Sequence, residues 1–343
     1  MAKVWQGVHR WLQKPILFPG ADPSSTKNIA PPHRPSLWYY LGSVTLFLFS
    51  LQVTTGFLLL LYYRPTPEGA YESVQFIMTQ VRFGWLIRSI HAWSANLLIL
   101  SAFVHMFATY FRRSYRKPRE TAWLTGFFLL ILTMGSGFSG YLLPWNELAF
   151  FATKVGTSLA GVVPGIGHFL LTYLRGGEEV TGDTLTRFFG FHVAVLPLGI
   201  LLLLAVHLKR WLKKNLFSNL TLRDGIAWLL ALSLLTALIA IFPWELGRKA
   251  NPFAPAPAGI KPEWYFLFLF QTLKYIPSRV LFLEGEVAGI LAFILGGLFW
   301  MLVPYLEKPL TRGRKSRLFT AIGIGVVAYI ALLTLLSLLA RSH

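Results

Sequence analysis

The stretch Gly84–Tyr110, GWLIRSIHAWSANLLILSAFVHMFATY, decides how the chain is read. It holds one formal charge, Arg88, and as a helix it would extend nearly 40 Å at about 1.5 Å per residue, more than the ~30 Å hydrocarbon core of a bilayer. Two histidines lie inside it, His91 and His105, 14 residues apart. An ionisable side chain within a membrane span is costly and usually has a function.

The rest of the composition agrees with a lipid solvent. Of 343 residues, 55% are hydrophobic and 13% charged, against about 25% charged in a soluble domain. The chain has no cysteine, which excludes disulfides, thiolate metal ligation and thiol catalysis. The net charge of +18 would suggest nucleic acid in a soluble protein; here its distribution sets topology instead, and no nucleic-acid partner is expected.

Seven segments are long and apolar enough to span: Leu37–Tyr63, Gly84–Tyr110, Thr121–Leu143, Leu185–Leu208, Gly225–Phe242, Glu286–Leu306 and Leu318–Leu339. The fold class is therefore all-α, a polytopic membrane protein with a four-helix bundle plus three further spans. Three parts are expected: an interfacial arm over 1–36, a four-span half over 37–212 and a three-span half over 213–343. The arm places Val4, Val8, Trp11 and Leu12 at helical spacing beside Lys3, Arg10 and Lys14, a pattern suited to the membrane interface. Basic residues crowd the arm and the second, fourth and sixth connections. The positive-inside rule then puts the N-terminus in the cytoplasm and the C-terminus outside. On the outer side, Pro144–Thr184 reads as a helical hairpin and Phe242–Gly285 as a Pro-rich loop running into a segment too short to span.

The fourth span repeats the theme of the second, with His192 and His207 15 residues apart. Fourteen α-helical residues return to within roughly 40° of the starting face, and fifteen to within roughly 60°. The second and fourth spans run in the same direction, so His91 is level with His192 and His105 with His207. Two level imidazole pairs are what bis-histidine ligation of two stacked haems requires. A lone membrane histidine is as well explained by a hydrogen bond to a neighbouring helix, and zinc would need further ligands at each level. Glycines echo the spacing: Gly42 and Gly56 on the first span and Gly126 and Gly140 on the third are also 14 apart, where they would let a flat macrocycle approach the backbone. Small-residue helix packing is the competing explanation. Arg88, one turn before His91, is a candidate partner for an anionic haem propionate.

These features, with Phe83-Gly-Trp-Leu-Ile-Arg-Ser-Ile-His91, Gly140-Tyr-Leu-Leu-Pro144-Trp145, Leu185-Thr-Arg-Phe-Phe189 and Pro262-Glu-Trp-Tyr265, make the chain resemble cytochrome b of the quinol-oxidising bc/bf-type complexes over essentially its whole length. The 15-residue spacing, the Tyr62-Tyr-Arg-Pro65 turn and the seven spans resemble the bf branch, with its two halves fused. The resemblance implies two non-covalent b haems. The outer iron would lie between His91 and His192 and the inner one between His105 and His207, with Gly42, Gly56, Gly126, Gly140, Arg88 and Pro144 around them. It implies quinol oxidation at an outer site with Glu263, Tyr141 and Tyr265 as candidate catalytic residues. One electron would go to a Rieske iron–sulfur protein and one across the membrane to an inner quinone site, with proton translocation. A c-type cytochrome subunit, membrane lipid and a second copy in a homodimer are further implied partners, in the cytoplasmic membrane of a bacterium.

Three positions depart from the family pattern: Tyr40 stands where the bf branch tethers an extra haem through cysteine, Ala108 where an arginine is usual, and Glu147 where an amide is usual. Lys27 and Asp22 fall near the family's inner quinone site. From the residues alone two other functions stay open: a dihaem membrane anchor of a dehydrogenase or hydrogenase, which would not need the Pro262–Tyr265 loop, and a proton-coupled transporter using the membrane histidines and Glu263.

Overall fold

Backbone groups in lipid must bond internally, and the apolar segments accordingly form helices. In the computed structural model, which describes residues 38, 40–209, 221–307 and 316–340, seven helical spans are long and apolar enough to cross a membrane. They are α1 (Leu41–Leu60), α3 (Gly84–Phe111), α4 (Glu120–Leu142), the continuous span Gly182–His207, α9 (Leu222–Ile241), α11 (Gly285–Leu306) and α12 (Arg317–Leu339). The protein is an all-α polytopic membrane protein. The expected interfacial helix and the positions Lys27 and Asp22 lie outside the described residues.

The span Gly182–His207 is composite: α7 (Gly182–Gly190), a π-helical turn over Phe191–Val195, and α8 (Leu196–His207). Between α1 and α3 lies a helix the hydropathy reading passes over, α2 (Ala70–Thr79), which buries Ala70, Val74 and Ile77 on one face. The outer hairpin is α5 (Glu147–Gly161) and α6 (Gly167–Arg175). Asn146 starts it by accepting from the Ala149 N–H at 2.9 Å. Buried Arg175 holds its two arms together, donating to Thr157 Oγ1 and Ser158 Oγ, both at 2.8 Å, and to the Lys154 carbonyl at 2.7 Å. The second half adds a 3-10 turn (Trp264–Phe266), α10 (Leu267–Tyr275) and a small antiparallel hairpin, β1 (Arg279–Val280) with β2 (Leu283–Glu284).

The described connections gather on two opposite faces. On the hairpin face, Tyr63 donates to the Leu143 carbonyl at 2.7 Å, Tyr71 to that of Gly247 at 2.8 Å, and Asn146 Nδ2 to that of Leu246 at 2.8 Å. On the other face Glu307, from the three-span half, is buried against Arg113 (2.8 Å), Arg116 (3.1 Å) and the Tyr115 hydroxyl (2.5 Å). Burial would raise the Glu307 pKa, but hydrogen bonds from Tyr115 and Arg116 and the charges of Arg113 and Arg116 outweigh it and hold it below the usual carboxylate range. Arg113 also donates to Thr320 Oγ1 at 3.0 Å. Between the faces Leu202, Leu229, Leu230 and Leu295 point outward, as lipid allows. The most enclosed span is α3, with 33% of its apolar window buried against 6–17% for the others.

Candidate functional site

The enclosed helix α3 and the composite span present four imidazoles to each other. His91 and His192 have ring centroids 6.1 Å apart and planes inclined by 77°. That interval admits one metal centre with a bond of about 2 Å to a nitrogen of each ring. His105 and His207 form the second pair, close enough to interact electrostatically.

Each expected glycine abuts one of these rings. A Cβ on Gly42 would stand 3.2 Å from His105 Cε1, on Gly56 3.4 Å from His91 Cε1, on Gly126 3.2 Å from His207 Cε1, and on Gly140 2.5 Å from His192 Cε1. At all four positions, then, the missing side chain is room taken by an imidazole edge. The glycines thus make room for the imidazoles themselves as well as for a macrocycle.

The unequal spacings, 14 and 15, are reconciled by the π turn. The Leu196 N–H bonds the Phe191 carbonyl five residues back, and Pro197, at the start of α8, has no N–H to give the Val193 carbonyl. A π turn accommodates one extra residue. It sits at His192, so the longer spacing still brings both histidines of this span into register with those of α3.

Three of the rings have their Nδ1 engaged. Thr55 Oγ1 lies 2.9 Å from His91 Nδ1, Thr125 Oγ1 lies 3.0 Å from His207 Nδ1, and the Ser136 carbonyl lies 3.0 Å from His192 Nδ1. Nε2 is thereby left as the nitrogen for a metal, the arrangement seen for metal-ligating histidines held by an outer partner. Among the described residues no group of three or more His, Asp or Glu is arranged to hold a metal ion. Paired imidazoles suit a metal that brings its own equatorial ligands, as haem iron does.

Close to the first pair, the Pro262–Tyr265 segment is seated on α3 and α4. Trp264 Nε1 donates to Asn96 Oδ1 at 2.7 Å. Tyr265 is buried, and its hydroxyl lies 2.5 Å from where a Cβ on Gly137 would be. Glu263, Tyr141 and Tyr265 are brought together: the Tyr265 pKa is raised by burial first and then by the Glu263 and Tyr141 charges. Burial also raises the Glu263 carboxyl, which has no hydrogen-bond or ion-pair partner among the described residues. Lys261 holds the segment from behind, donating to the Ser337 and Ala340 carbonyls at the end of α12 at 2.7 and 2.8 Å.

Arg88 also joins the two halves. Its buried guanidinium donates from Nη1 to the Trp244 carbonyl at 2.8 Å and from Nη2 to the Glu245 carbonyl at 3.1 Å. These partners lie in the connection after α9, so Arg88 fastens that connection to α3. Pro144 follows the end of α4 in the turn into α5, where buried Trp145 takes φ 51°. Sequence reasoning did not single out Thr55, Thr125, Ser136, Ser139, Asn96 or Gly137. Three of these precede a spaced glycine directly, a signal that was present and unread.

Comparison with known proteins follows the same two halves. The family model described as cytochrome b/b6/petB matches residues 26–215, and that described as cytochrome b(C-terminal)/b6/petD matches 249–343. A cytochrome bc complex cytochrome b subunit of Chlorobaculum thiosulfatiphilum is 48% identical over 347 residues, covering 95% of this chain and 80% of that protein. Cytochrome b6 of Prochlorococcus marinus (strain AS9601) is 39% identical over 200 residues, covering 58% of this chain and 91% of that one. Among solved structures, a chain of a hyperthermophilic respiratory Complex III superposes with a TM-score of 0.78 at 28% identity, covering 89% of this chain and 85% of that one.

Proposed function

From the premise that this chain belongs to the cytochrome b family, in its fused bf-like form, and serves electron transfer in a bc/b6f-type complex, we propose that it is the dihaem subunit at which quinol is oxidised. His91 with His192, and His105 with His207, would each hold a b haem. The haems supply one-electron carriage between the two faces. Quinol gives one electron to a Rieske iron–sulfur protein and one across the membrane to an inner quinone site, so that protons are released outside and taken up inside. A c-type cytochrome and a second copy of the chain complete the assembly in a bacterial cytoplasmic membrane. The N-terminus lies inside.

The observation that carries this reading is the seat of the Glu263–Tyr265 segment. It rests on the same two helices, α3 and α4, whose His91 and Gly140 line the first imidazole pair. A dehydrogenase anchor has no use for such a segment, and a proton-coupled transporter would not need its histidines in two facing pairs. Glu263 suits a proton acceptor: its carboxyl is half-buried and unpaired among the described residues, with a raised pKa that keeps it able to take a proton at a pH where an ordinary carboxylate is a weaker base. Tyr141 and Tyr265 flank it as candidate contacts to the quinol oxygen.

The test is Glu263→Gln. Both haems should remain, and quinol-driven haem reduction through the outer site should slow by roughly 10²–10⁴-fold. In the parent protein the rate should climb with pH through a range above the ordinary carboxylate value, as the raised group ionises; the variant should lose that step. Unchanged rates and an unchanged pH profile would remove Glu263 from the mechanism.

A further inference from the structure

The hydroxyl residues beside the spaced glycines serve the histidines unequally. Thr55 precedes Gly56, Thr125 precedes Gly126 and Ser139 precedes Gly140. Thr55 Oγ1 donates its proton to the Leu51 carbonyl at 2.6 Å, and Thr125 Oγ1 donates to that of Thr121 at 2.8 Å. A hydroxyl has one proton. The contacts at 2.9 Å to His91 Nδ1 and 3.0 Å to His207 Nδ1 must therefore be N–H donation by the ring to the oxygen. On His192 the acceptor is the Ser136 carbonyl at 3.0 Å, with Ser139 Oγ at 3.4 Å. The fourth glycine, Gly42, is preceded by Leu41, and among the described residues His105 has no hydrogen-bond partner.

The geometry points to an intended asymmetry: we propose that Thr55, Thr125 and the Ser136–Ser139 turn are positioning residues that fix the Nδ1–H tautomer and raise the basicity of three ligands, while His105 is left the weakest donor of the four because Leu41 replaces the hydroxyl. An acceptor on Nδ1–H pushes electron density toward Nε2 and favours the ferric state of a bound iron. The pair His105–His207 then carries one strengthened ligand, and the pair His91–His192 carries two. A Cβ on Gly42 would meet His105 at 3.2 Å (Cε1) and 3.7 Å (Nδ1), the same approach that a Cβ on Gly126 would make to His207. A hydroxyl introduced at position 41 would thus stand to His105 as Thr125 stands to His207.

This rests on the haem-ligand reading above, and the experiment separates the two. Potentiometric titration of the purified wild type, Leu41→Thr and Thr125→Val, followed in the visible α-band, reads each haem on its own. Leu41→Thr should shift the midpoint of the haem on His105 and His207 downward, Thr125→Val should shift the same midpoint upward, and the other haem should stay where it is. Thr125→Val keeps the side-chain shape, so a shift in opposite senses cannot come from loosened packing. Two haems with unmoved midpoints in both variants overturn the inference and leave the ligand reading intact. A wild-type protein without b-type absorption overturns both.

Discussion

Gly137→Ala is the most discriminating change at the candidate quinol site. The added methyl would stand 2.5 Å from the Tyr265 hydroxyl, 3.0 Å from Ile99 Cδ1 and 3.1 Å from Tyr265 Cζ. Favourable contact starts near 3.5 Å, so the hydroxyl is roughly 1 Å too close. Tyr265 cannot swing aside freely: it is buried, with Phe266 at a centroid distance of 4.7 Å and Trp264 at 5.6 Å, and Trp264 is itself tied to Asn96. Overpacking of this kind costs about 1–3 kcal/mol, and a displacement near 1 Å at a reacting centre costs up to about 10²-fold in rate. Quinol-driven haem reduction should fall by roughly 10–10²-fold, with both haems retained because no histidine is touched. Tyr265→Phe removes the atom at 2.5 Å. In that background Gly137→Ala should therefore do much less harm, a coupling of about 1–2 kcal/mol between the two changes. If Gly137→Ala slows the Tyr265→Phe protein by the same factor as the wild type, the hydroxyl is not what Gly137 accommodates and the seat described for the segment is wrong.

Replacing His91 or His192 with Ala should remove one haem, and replacing His105 or His207 the other; pyridine haemochrome quantitation giving two haems after any single change would refute the assignment. With no cysteine in the chain and Tyr40 at the family's tether position, acid–acetone should strip all haem; haem staining of this polypeptide on a denaturing gel would contradict that. Glu307→Gln should strand the charge of buried Arg113 and cost about 3–5 kcal/mol, read as a lowered melting temperature in detergent. The same joint in the parent protein should hold at neutral pH and fail in acid, as pH falls through the depressed Glu307 pKa.

The spans were legible because their cause is local: a run of apolar residues long enough to cross lipid needs no tertiary knowledge. The imidazole pairs were legible for the same reason, since helical pitch alone stacks positions 14 apart. What could not be read was what partners remote in sequence set. The acceptors of Arg88, the Trp244 and Glu245 carbonyls, lie 156 and 157 residues away. The offset implied by the 15-residue spacing vanished into a π turn at His192, which sequence hints at only through Pro197. Helix α2 escaped because a search for spans passes over a short amphipathic helix, although Ala70, Val74 and Ile77 carry its period. Tyr141, Tyr265 and Glu263 were grouped through resemblance. Their seat on Gly137 and Asn96 was not, because nothing local distinguishes Gly137 from a packing glycine.

The same physics explains why the two halves meet through polar groups. Lipid is as apolar as leucine, so helix association in the membrane draws little on the hydrophobic effect and relies on packing and hydrogen bonds. The halves are fastened on each face by cations: buried Arg88 to two carbonyls on the hairpin face, and buried Arg113 with half-buried Arg116 to Glu307 on the other. In addition, Trp93 donates to the Phe242 carbonyl at 2.8 Å, Trp264 to Asn96, and Trp228 to the Ser43 carbonyl at 3.1 Å. Every one of these joins the first half to the second through contacts that do not depend on the linking peptide. Fusion then adds effective concentration without a new contact. It keeps the Glu263 segment, carried by the second half, from leaving the imidazole pair that the first half supplies.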